Sequence, residues 1–167
     1  MLNLSTQDTE RALPHVRWMI KSDMPAVLEI EAAACNHPWM EEDFNLALLI
    51  DNVLGAVAER GDQIVGYMLY EVHSSTIELF KLEVAPSARR TGVGRALLAK
   101  LVSKLEVGCG GITTVVNERN LETHLWLRAL GFAATHVLRG HFHERPDDPP
   151  EDGYHFQYDL PCDGGGQ

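Results

Sequence analysis

Seven consecutive residues, Arg89-Arg90-Thr91-Gly92-Val93-Gly94-Arg95, have the composition of a phosphate-binding loop. The two glycines allow a tight turn that brings backbone N–H groups close to a bound group. Apolar residues then recur at helical spacing over residues 97–105, which predicts a helix that begins near Gly92 or Val93. Because the start of a helix presents unpaired N–H donors and about half a positive charge, the run predicts a site for phosphate or pyrophosphate.

The charge of the chain supports this prediction. Three arginines cluster in the loop although the formal net charge is −10 at pH 7, and such a local reversal of sign attracts anions. The run lacks the Lys-Ser or Lys-Thr of a nucleoside-triphosphate loop and the third glycine of a dinucleotide loop. A pyrophosphate without a nucleotide-hydrolysing site fits best, and the alternative is a glycine turn with solvated arginines.

A carboxylate stands in the strand that precedes this loop. Residues 76–85 are mostly β-branched, aromatic or aliphatic, and Pro86 ends the run because proline cannot donate to a sheet ladder. Glu78 lies within this apolar run, where an ionised carboxylate is costly unless a partner or a reaction uses it. Burial would make such a carboxylate a proton acceptor near neutral pH. The alternative is a strand residue that faces solvent.

Apolar periodicity places this strand and helix within a longer α/β sequence. The predicted strands cover residues 16–20, 53–59, 63–72, 76–85, 112–116, 133–138 and 155–160, and the other predicted helices start near Ser22, Glu41 and Leu121. Gly66 predicts a bulge or a close backbone approach inside its strand. This order of elements predicts a single α/β domain in which helices flank a mixed, mainly antiparallel sheet.

Length and composition limit the remaining possibilities. A chain of 167 residues with 45% hydrophobic content suits one core, which we assign to residues 16–160, between a loose leader (1–15) and a disordered tail (161–167). Three cysteines without metal-ligand spacing or a disulfide pattern predict no metal site and a reducing cytoplasm. No apolar stretch approaches the roughly 20 residues of a membrane span. The acidic balance argues against nucleic acid and favours a cationic partner.

The stretch V-A-P-x-x-R-R-T-G-V-G-R-A-L-L, residues 84–98, resembles the acyl-CoA signature of the GNAT superfamily of N-acetyltransferases. Leu130-Gly131-Phe132 also resembles the end of a helix in that superfamily, and the resemblance extends over residues 16–160. Within the superfamily the chain looks most similar to the ribosomal-protein alanine acetyltransferases, which modify protein N-termini. The resemblance implies transfer of an acetyl group from acetyl-CoA to a primary amine, such as the N-terminal α-amino group of a ribosomal protein.

The resemblance also implies where the two substrates bind. It places the pyrophosphate at Arg89, Arg90, Thr91, Gly92, Val93, Gly94 and Arg95, and the pantetheine along Leu82, Glu83 and Val84, reached by Asn120. The pantetheine would lie where the central strand and strand 112–116 splay apart. The acceptor would pass between His37-Pro38-Trp39, at a Phe-Pro-Trp-like position, and Phe142-His143, at a Tyr-Tyr position. Trp39 has a second interpretation, as a core contact between two helices.

The expected proton-transfer residues are missing. The family's alanine acetyltransferases place a base and a tyrosine acid at the positions of Val115 and Leu127 in this chain. General acid–base catalysis contributes about 10² to 10⁴ in rate, whereas positioning contributes effective molarities of about 10⁵ to 10⁸ M, so an enzyme can lose or relocate its base. Glu78, eleven residues before Arg89, matches the catalytic glutamate of the related histone acetyltransferases and is the predicted base. Glu83, His143 and His124 are its rivals.

Two alternative functions stay open from the sequence. The acidic residues between Asp147 and Asp152 suit a polycation, so the acceptor could be a polyamine, a lysine side chain or another small amine. The missing base and acid also fit a non-catalytic module that binds acyl-CoA. The oligomeric state and the identity of the acceptor are not determined by the sequence.

Overall fold

Seven strands form one mixed sheet in the computed structural model, which describes residues 12–105, 110–143 and 146–160. The strands are β1 (His15–Trp18), β2 (Val53–Arg60), β3 (Gln63–Val72), β4 (Thr76–Val84), β5 (Gly111–Asn117), β6 (Ala133–Phe142) and β7 (Glu151–Asp159). Their order across the sheet is β1-β2-β3-β4-β5-β7-β6. All neighbours are antiparallel except β4 and β5, which are parallel. The predicted fold class is confirmed.

In the part of the chain that the structure describes, four α-helices cover the two faces of this sheet. They are α1 (Met24–Ala34), α2 (Glu41–Leu48), α3 (Val93–Lys104) and α4 (Leu121–Ala129). On one face α3 and α4 bury the larger core, which includes Met68, Leu97 and Phe156. On the other face α1 and α2 bury a smaller core around Phe44 and Tyr67. The helix faces follow from apolar residues at helical spacing. Among the described residues, no helix has the length and apolarity that crossing a membrane requires.

The joint between β4 and β5 is short. Only Thr76–Leu79 pairs with Gly111–Thr114, and the hydroxyl of Thr114 donates to the carbonyl oxygen of Leu79 at 2.9 Å. Immediately beyond, Phe80 lies at a bulge in the pairing of β4 with β3 and is 38% exposed. From there to Val84 the two strands are not paired, so a gap opens in the middle of the sheet. The splay implied by the family resemblance is therefore present.

The last two strands are longer than predicted. β6 continues to Phe142 and β7 starts at Glu151, whereas the sequence placed these ends at residues 138 and 155. A carboxylate oxygen of Asp152 accepts the N–H of Gly140, whose φ is 61°, and this bond supports an irregular stretch of the ladder. The sequence did not predict the full length of these strands, because β6 is an exposed edge strand with many polar side chains.

Some expectations lie outside the described residues. They are the leader up to residue 11, the tail from 161 to 167, Cys109 and Cys162. The predicted leader ended at His15, which instead is the first residue of β1 and pairs with Glu59.

Candidate active site

The predicted phosphate loop adopts the backbone conformation that its glycines allow. Arg90 and Gly92 have φ values of 59° and 90°, and α3 begins directly afterwards at Val93. At Gly92 nothing lies within 4 Å of an added Cβ, so the left-handed conformation rather than crowding is what requires glycine. Because the first N–H groups of a helix have no partner within it, those of Val93, Gly94 and Arg95 are available to an anion.

Arg60 holds this loop from β2. Its guanidinium donates at 2.8 Å to both the hydroxyl and the carbonyl oxygen of Thr91, and the Thr91 hydroxyl donates to Ala88 at 2.5 Å. Only 9% of Arg60 is exposed, in contrast to the exposed Arg89, Arg90 and Arg95 of the loop. Sequence analysis missed this residue because it lies 31 positions before Thr91.

The open edge of β4 directs backbone groups into the gap. The N–H of Ala85 donates to Val65 on β3 at 2.9 Å. Since backbone groups alternate in direction along a strand, those of Leu82 and Val84 point to the other side, into the gap. The Val84 carbonyl there accepts a 3.4 Å hydrogen bond from Arg89. An extended amide-containing chain would find donors and acceptors along this edge.

Gly94 and Asn120 bound the gap from the helices. A Cβ on Gly94 would lie 3.0 Å from the Trp126 ring, so α3 and α4 approach closely at this point. Asn120 precedes α4, and its side-chain oxygen accepts the N–H of Thr123 at 3.2 Å. This bond uses the oxygen of the amide and leaves its NH₂ group for another partner. The contact of Asn120 with pantetheine stays a prediction.

On the opposite face, a buried carboxylate joins α1 to β3 and β4. Glu31 is fully buried and accepts hydrogen bonds from Tyr67, from Lys81, from the Trp39 N–H at 2.9 Å and from the Cys35 thiol at 3.3 Å. Burial alone would raise the pKa of Glu31, but Lys81 and these donors outweigh it and lower the pKa. Burial and Glu31 together raise the pKa of Tyr67. We call these five residues the Glu31 cluster.

The predicted acceptor loop rests on this cluster. Trp39 is half-buried, meets Phe44 edge-on with ring centroids 5.4 Å apart, and lies 4.7 Å from the Lys81 ammonium. Trp39 therefore packs between α1 and α2. His37 and Pro38 are exposed at the rim. Whether this loop contacts an acceptor stays a prediction.

Glu78 is more exposed than the sequence argument required. Its side chain is 45% accessible and lies 3.7 Å from the His73 imidazole, which is 3.8 Å from Glu71. Burial of Glu78 is not observed, because α1 and α2 bury the part of this face around Phe44 and Tyr67 and Glu78 lies outside that core. The role of Glu78 as base stays a prediction. The ligand atoms of these three residues lie within 4.8 Å of one another, but exposed groups of this kind are common without an ion.

Apolar residues occupy the two positions at which the resemblance implies a base and an acid. Leu127 is buried in the core, and Val115 lies opposite His155 on β7. The Nδ1 atom of His155 is 2.6 Å from the Thr135 hydroxyl, and burial and His136 lower the pKa of His155, although Glu78 opposes them. Sequence analysis missed His155 because only strand pairing brings it beside Val115.

The other predicted residues are divided between packing and the rim. His124 is held by a 2.9 Å contact from its Nε2 atom to the Asn117 carbonyl oxygen and packs on Tyr154. Phe142 is the last residue of β6 and is half-buried beside His141, and His143 is exposed. The strand ends at Phe142 and Asn117 lie at the same end of the sheet as the open part of the gap.

Comparison with known proteins shows which family this sequence resembles. Residues 24–132 match the sequence profile of the acetyltransferase (GNAT) family. A ribosomal protein bS18-alanine N-acetyltransferase from Salmonella typhimurium is 27% identical over 124 residues, which cover 72% of this chain and 82% of that protein.

Two solved structures share the fold. The ribosomal-protein-S18-alanine N-acetyltransferase from Escherichia coli superposes with a TM-score of 0.78 at 23% identity, over 93% of this chain and 99% of that one. A phosphinothricin acetyltransferase of the GNAT superfamily from Sinorhizobium meliloti, in complex with acetyl-CoA, superposes with a TM-score of 0.70 at 20% identity, over 92% and 95% of the two chains.

Proposed function

The chain belongs to the GNAT family of acetyltransferases and is an acetyl-CoA-dependent N-acetyltransferase, and on that premise we propose that its acceptor is the N-terminal α-amino group of a protein. The proposal rests on the gap beyond Leu79, which opens beside carboxylates on the face of α1. A protonated amine is attracted to such a face. Relatives named as ribosomal protein alanine N-acetyltransferases support a protein terminus as the class of acceptor.

The cofactor would bind from the face of α3. Its pyrophosphate would accept hydrogen bonds from the backbone N–H groups of residues 90–94. Arg60 holds this loop in place through Thr91. Its pantetheine would extend along the open edge of Leu82 and Val84, and the Asn120 NH₂ group would meet it from α4. The side chain of Leu82 lies on the α3 face, 3.8 Å from an added Cβ on Gly94. The acetyl group would then reach the level at which β4 and β5 separate.

The acceptor would arrive from the other face. We place its path between His37-Pro38-Trp39, which the Glu31 cluster anchors, and Phe142-His143 at the end of β6. This arrangement brings the two substrates together through the sheet from opposite sides, so the amine meets the thioester only inside the gap. Such positioning supplies the larger part of the rate enhancement in a bimolecular reaction.

A polyamine acceptor has less support. That alternative depended on an acidic stretch from Asp147 to Asp152 as a free loop. Glu151 and Asp152 instead belong to β7, where Glu151 pairs with Arg119 at 2.8 Å and Asp152 pairs with Arg139 at 2.5 Å. The charge that would attract a polycation is thus partly neutralised. Family membership likewise favours an enzyme over a non-catalytic module.

An acceptor panel tests the proposal. Release of CoA from acetyl-CoA would be followed with peptides that have a free N-terminal alanine, the same peptides with a blocked N-terminus and an internal lysine, and spermidine. We expect turnover only with free N-termini, with the product located by mass spectrometry at the first residue. Turnover of spermidine or blocked lysine peptides without turnover of free N-termini would contradict the proposed acceptor class.

A further inference from the structure

Glu83 occupies the acceptor side of the gap. It lies on β4 between Leu82 and Val84, the two residues whose backbone groups face the gap, and it is paired with Tyr67 on β3. Successive strand residues point to opposite faces, so the Glu83 side chain lies on the face of α1, away from α3. Its contact with Cys35, at the end of α1, agrees with this direction. No other side chain between Lys81 and Ala85 has a carboxylate there.

The hydrogen bonds of Glu83 differ sharply from those of its neighbour Glu31. Glu31 has four donors, whereas among the described residues the hydrogen bond of Glu83 is a 3.5 Å contact with the Cys35 thiol. The thiol has one proton and also lies 3.3 Å from Glu31, so it can serve only one carboxylate at a time. Glu83 is therefore a half-buried carboxylate with spare acceptor capacity beside the open part of the gap.

We propose that Glu83 takes the proton from the acceptor amine, an inference that rests on the proposed function of this site. The ammonium group R–NH₃⁺ gives one proton to the Glu83 carboxylate, and the neutral amine then attacks the acetyl carbonyl carbon. A C–N bond forms, the C–S bond breaks, and its electron pair leaves on the sulfur of CoA. The second amine proton passes to that thiolate, giving CoA–SH and the amide. Protonated Glu83 returns its proton to water.

The charged surroundings of Glu83 suit this step. Burial raises the pKa of Glu83, and the Glu31 carboxylate adds to this shift, while Cys35, Lys81 and Arg89 oppose it. Tyr67 lies opposite Glu83 on β3, and its hydroxyl donates to Glu31. A carboxylate with a raised pKa holds a proton more readily at neutral pH, which is what proton transfer from an amine requires.

Val115 cannot act as a base, and the position of Glu83 suits that role better than the position of Glu78 does. Glu78 lies in the closed part of the joint, where β4 is still paired with β5, and its side chain is 45% exposed. Glu83 lies in the open part, beyond the bulge at Phe80. A base in the open part has access to an amine that enters the gap without crossing a paired strand.

Turnover numbers and pH profiles of Glu83→Gln and Glu83→Asp, measured with whichever acceptor the wild type uses, test the inference. Glu78→Gln is the rival variant, and Glu29→Gln, an exposed change on α1, is the control. We expect Glu83→Gln to lower kcat about 100-fold or more at pH 7 while calorimetric CoA affinity is unchanged. The deficit should shrink as pH rises past the α-amino pKa of about 7.7–8.0. Glu83→Asp should recover part of the rate.

Thermal unfolding separates chemistry from folding in the same variants. A raised pKa means that ionised Glu83 destabilises the folded state above the unfolded-state pKa, so Glu83→Gln should unfold at the wild-type temperature or higher at pH 8. An unchanged rate and pH profile in Glu83→Gln, or a loss in Glu78→Gln alone, would overturn the inference and direct attention to Glu78 or His155. A wild type that turns over no amine would instead refute the proposed function.

Discussion

Replacing Glu31 with alanine should destabilise the protein more than any surface change on α1. The carboxylate is fully buried and accepts from Tyr67, Lys81, Trp39 and Cys35. Without it the Lys81 ammonium, which is 15% exposed, loses its ion-pair partner. The Tyr67 hydroxyl and the Trp39 N–H lose their acceptor as well. The variant therefore leaves several polar groups unsatisfied in place of one buried carboxylate.

The magnitude follows from the buried pair. Removing one partner of a buried ion pair costs about 3–5 kcal/mol, because the other charge stays behind uncompensated. For a protein of this size about 1 kcal/mol lowers Tm by about 2–4 °C, so Glu31→Ala should lower Tm by about 6–20 °C. Glu31→Gln keeps a carbonyl acceptor and should lie between alanine and wild type. Glu29→Ala, an exposed change on the same helix, should stay within about 0.5 kcal/mol of wild type.

Thermal unfolding followed by circular dichroism at several pH values measures these effects. The folded-state pKa of Glu31 is lowered, so its contribution is complete above the unfolded-state pKa of about 4.3 and is lost as pH falls through the lower folded-state value. The gap in Tm between wild type and Glu31→Ala should thus narrow below pH 4. A gap that is absent at pH 7, or that stays constant into acid, would refute the reasoning. Replacing both Glu31 and Lys81 with methionine should cost less than the sum of the single changes.

Two further predictions concern the cofactor. Gly94→Glu should abolish measurable CoA binding in calorimetry, because it adds a negative charge at the phosphate site and a Cβ 3.0 Å from Trp126, whereas Arg89→Ala should weaken binding only severalfold; equal affinities for Gly94→Glu and wild type would contradict the site. Arg60→Met should lower CoA affinity about tenfold, which is about 1.4 kcal/mol, because Thr91 loses both guanidinium hydrogen bonds. Tm measured beside affinity would show whether Arg60→Met acts through the loop or by general unfolding.

Local features were predictable from the sequence because neighbouring residues determine them. The glycine loop and the start of α3 at Val93 follow from backbone conformation and apolar spacing, and β3 has the predicted bounds, Gln63–Val72. Gly66 confirms the prediction of a bulge or a close backbone approach. It lies beside a shift in register between β2 and β3, and an added Cβ there would be 3.1 Å from the Glu83 carbonyl oxygen and 2.8 Å from the Val93 side chain.

Features that join distant segments were not predictable. The Glu31 cluster combines residues of α1, β3, β4 and the loop after α1. None of these segments has a local sequence pattern that predicts a buried carboxylate. Arg60 and Thr91 are likewise joined only by the fold. The apolar neighbours of Glu78 left burial and solvent exposure both open, because which part of a strand is covered depends on where the helices lie. The exposure of Glu78 depends on the packing of helices against the sheet and not on the apolar residues beside it in the sequence.

The four residue pairs between β4 and β5 also divide the protein mechanically. On one side β1 to β4 form a continuous antiparallel unit, and on the other β5, β7 and β6 form a second. A joint with few hydrogen bonds opens at lower free energy than the ladders beside it, so slow fluctuations should concentrate along this line. A molecule that lies in the gap and bonds to its edges bridges both units. Saturation with cofactor should therefore stiffen the whole sheet and slow amide hydrogen exchange far from the bound molecule.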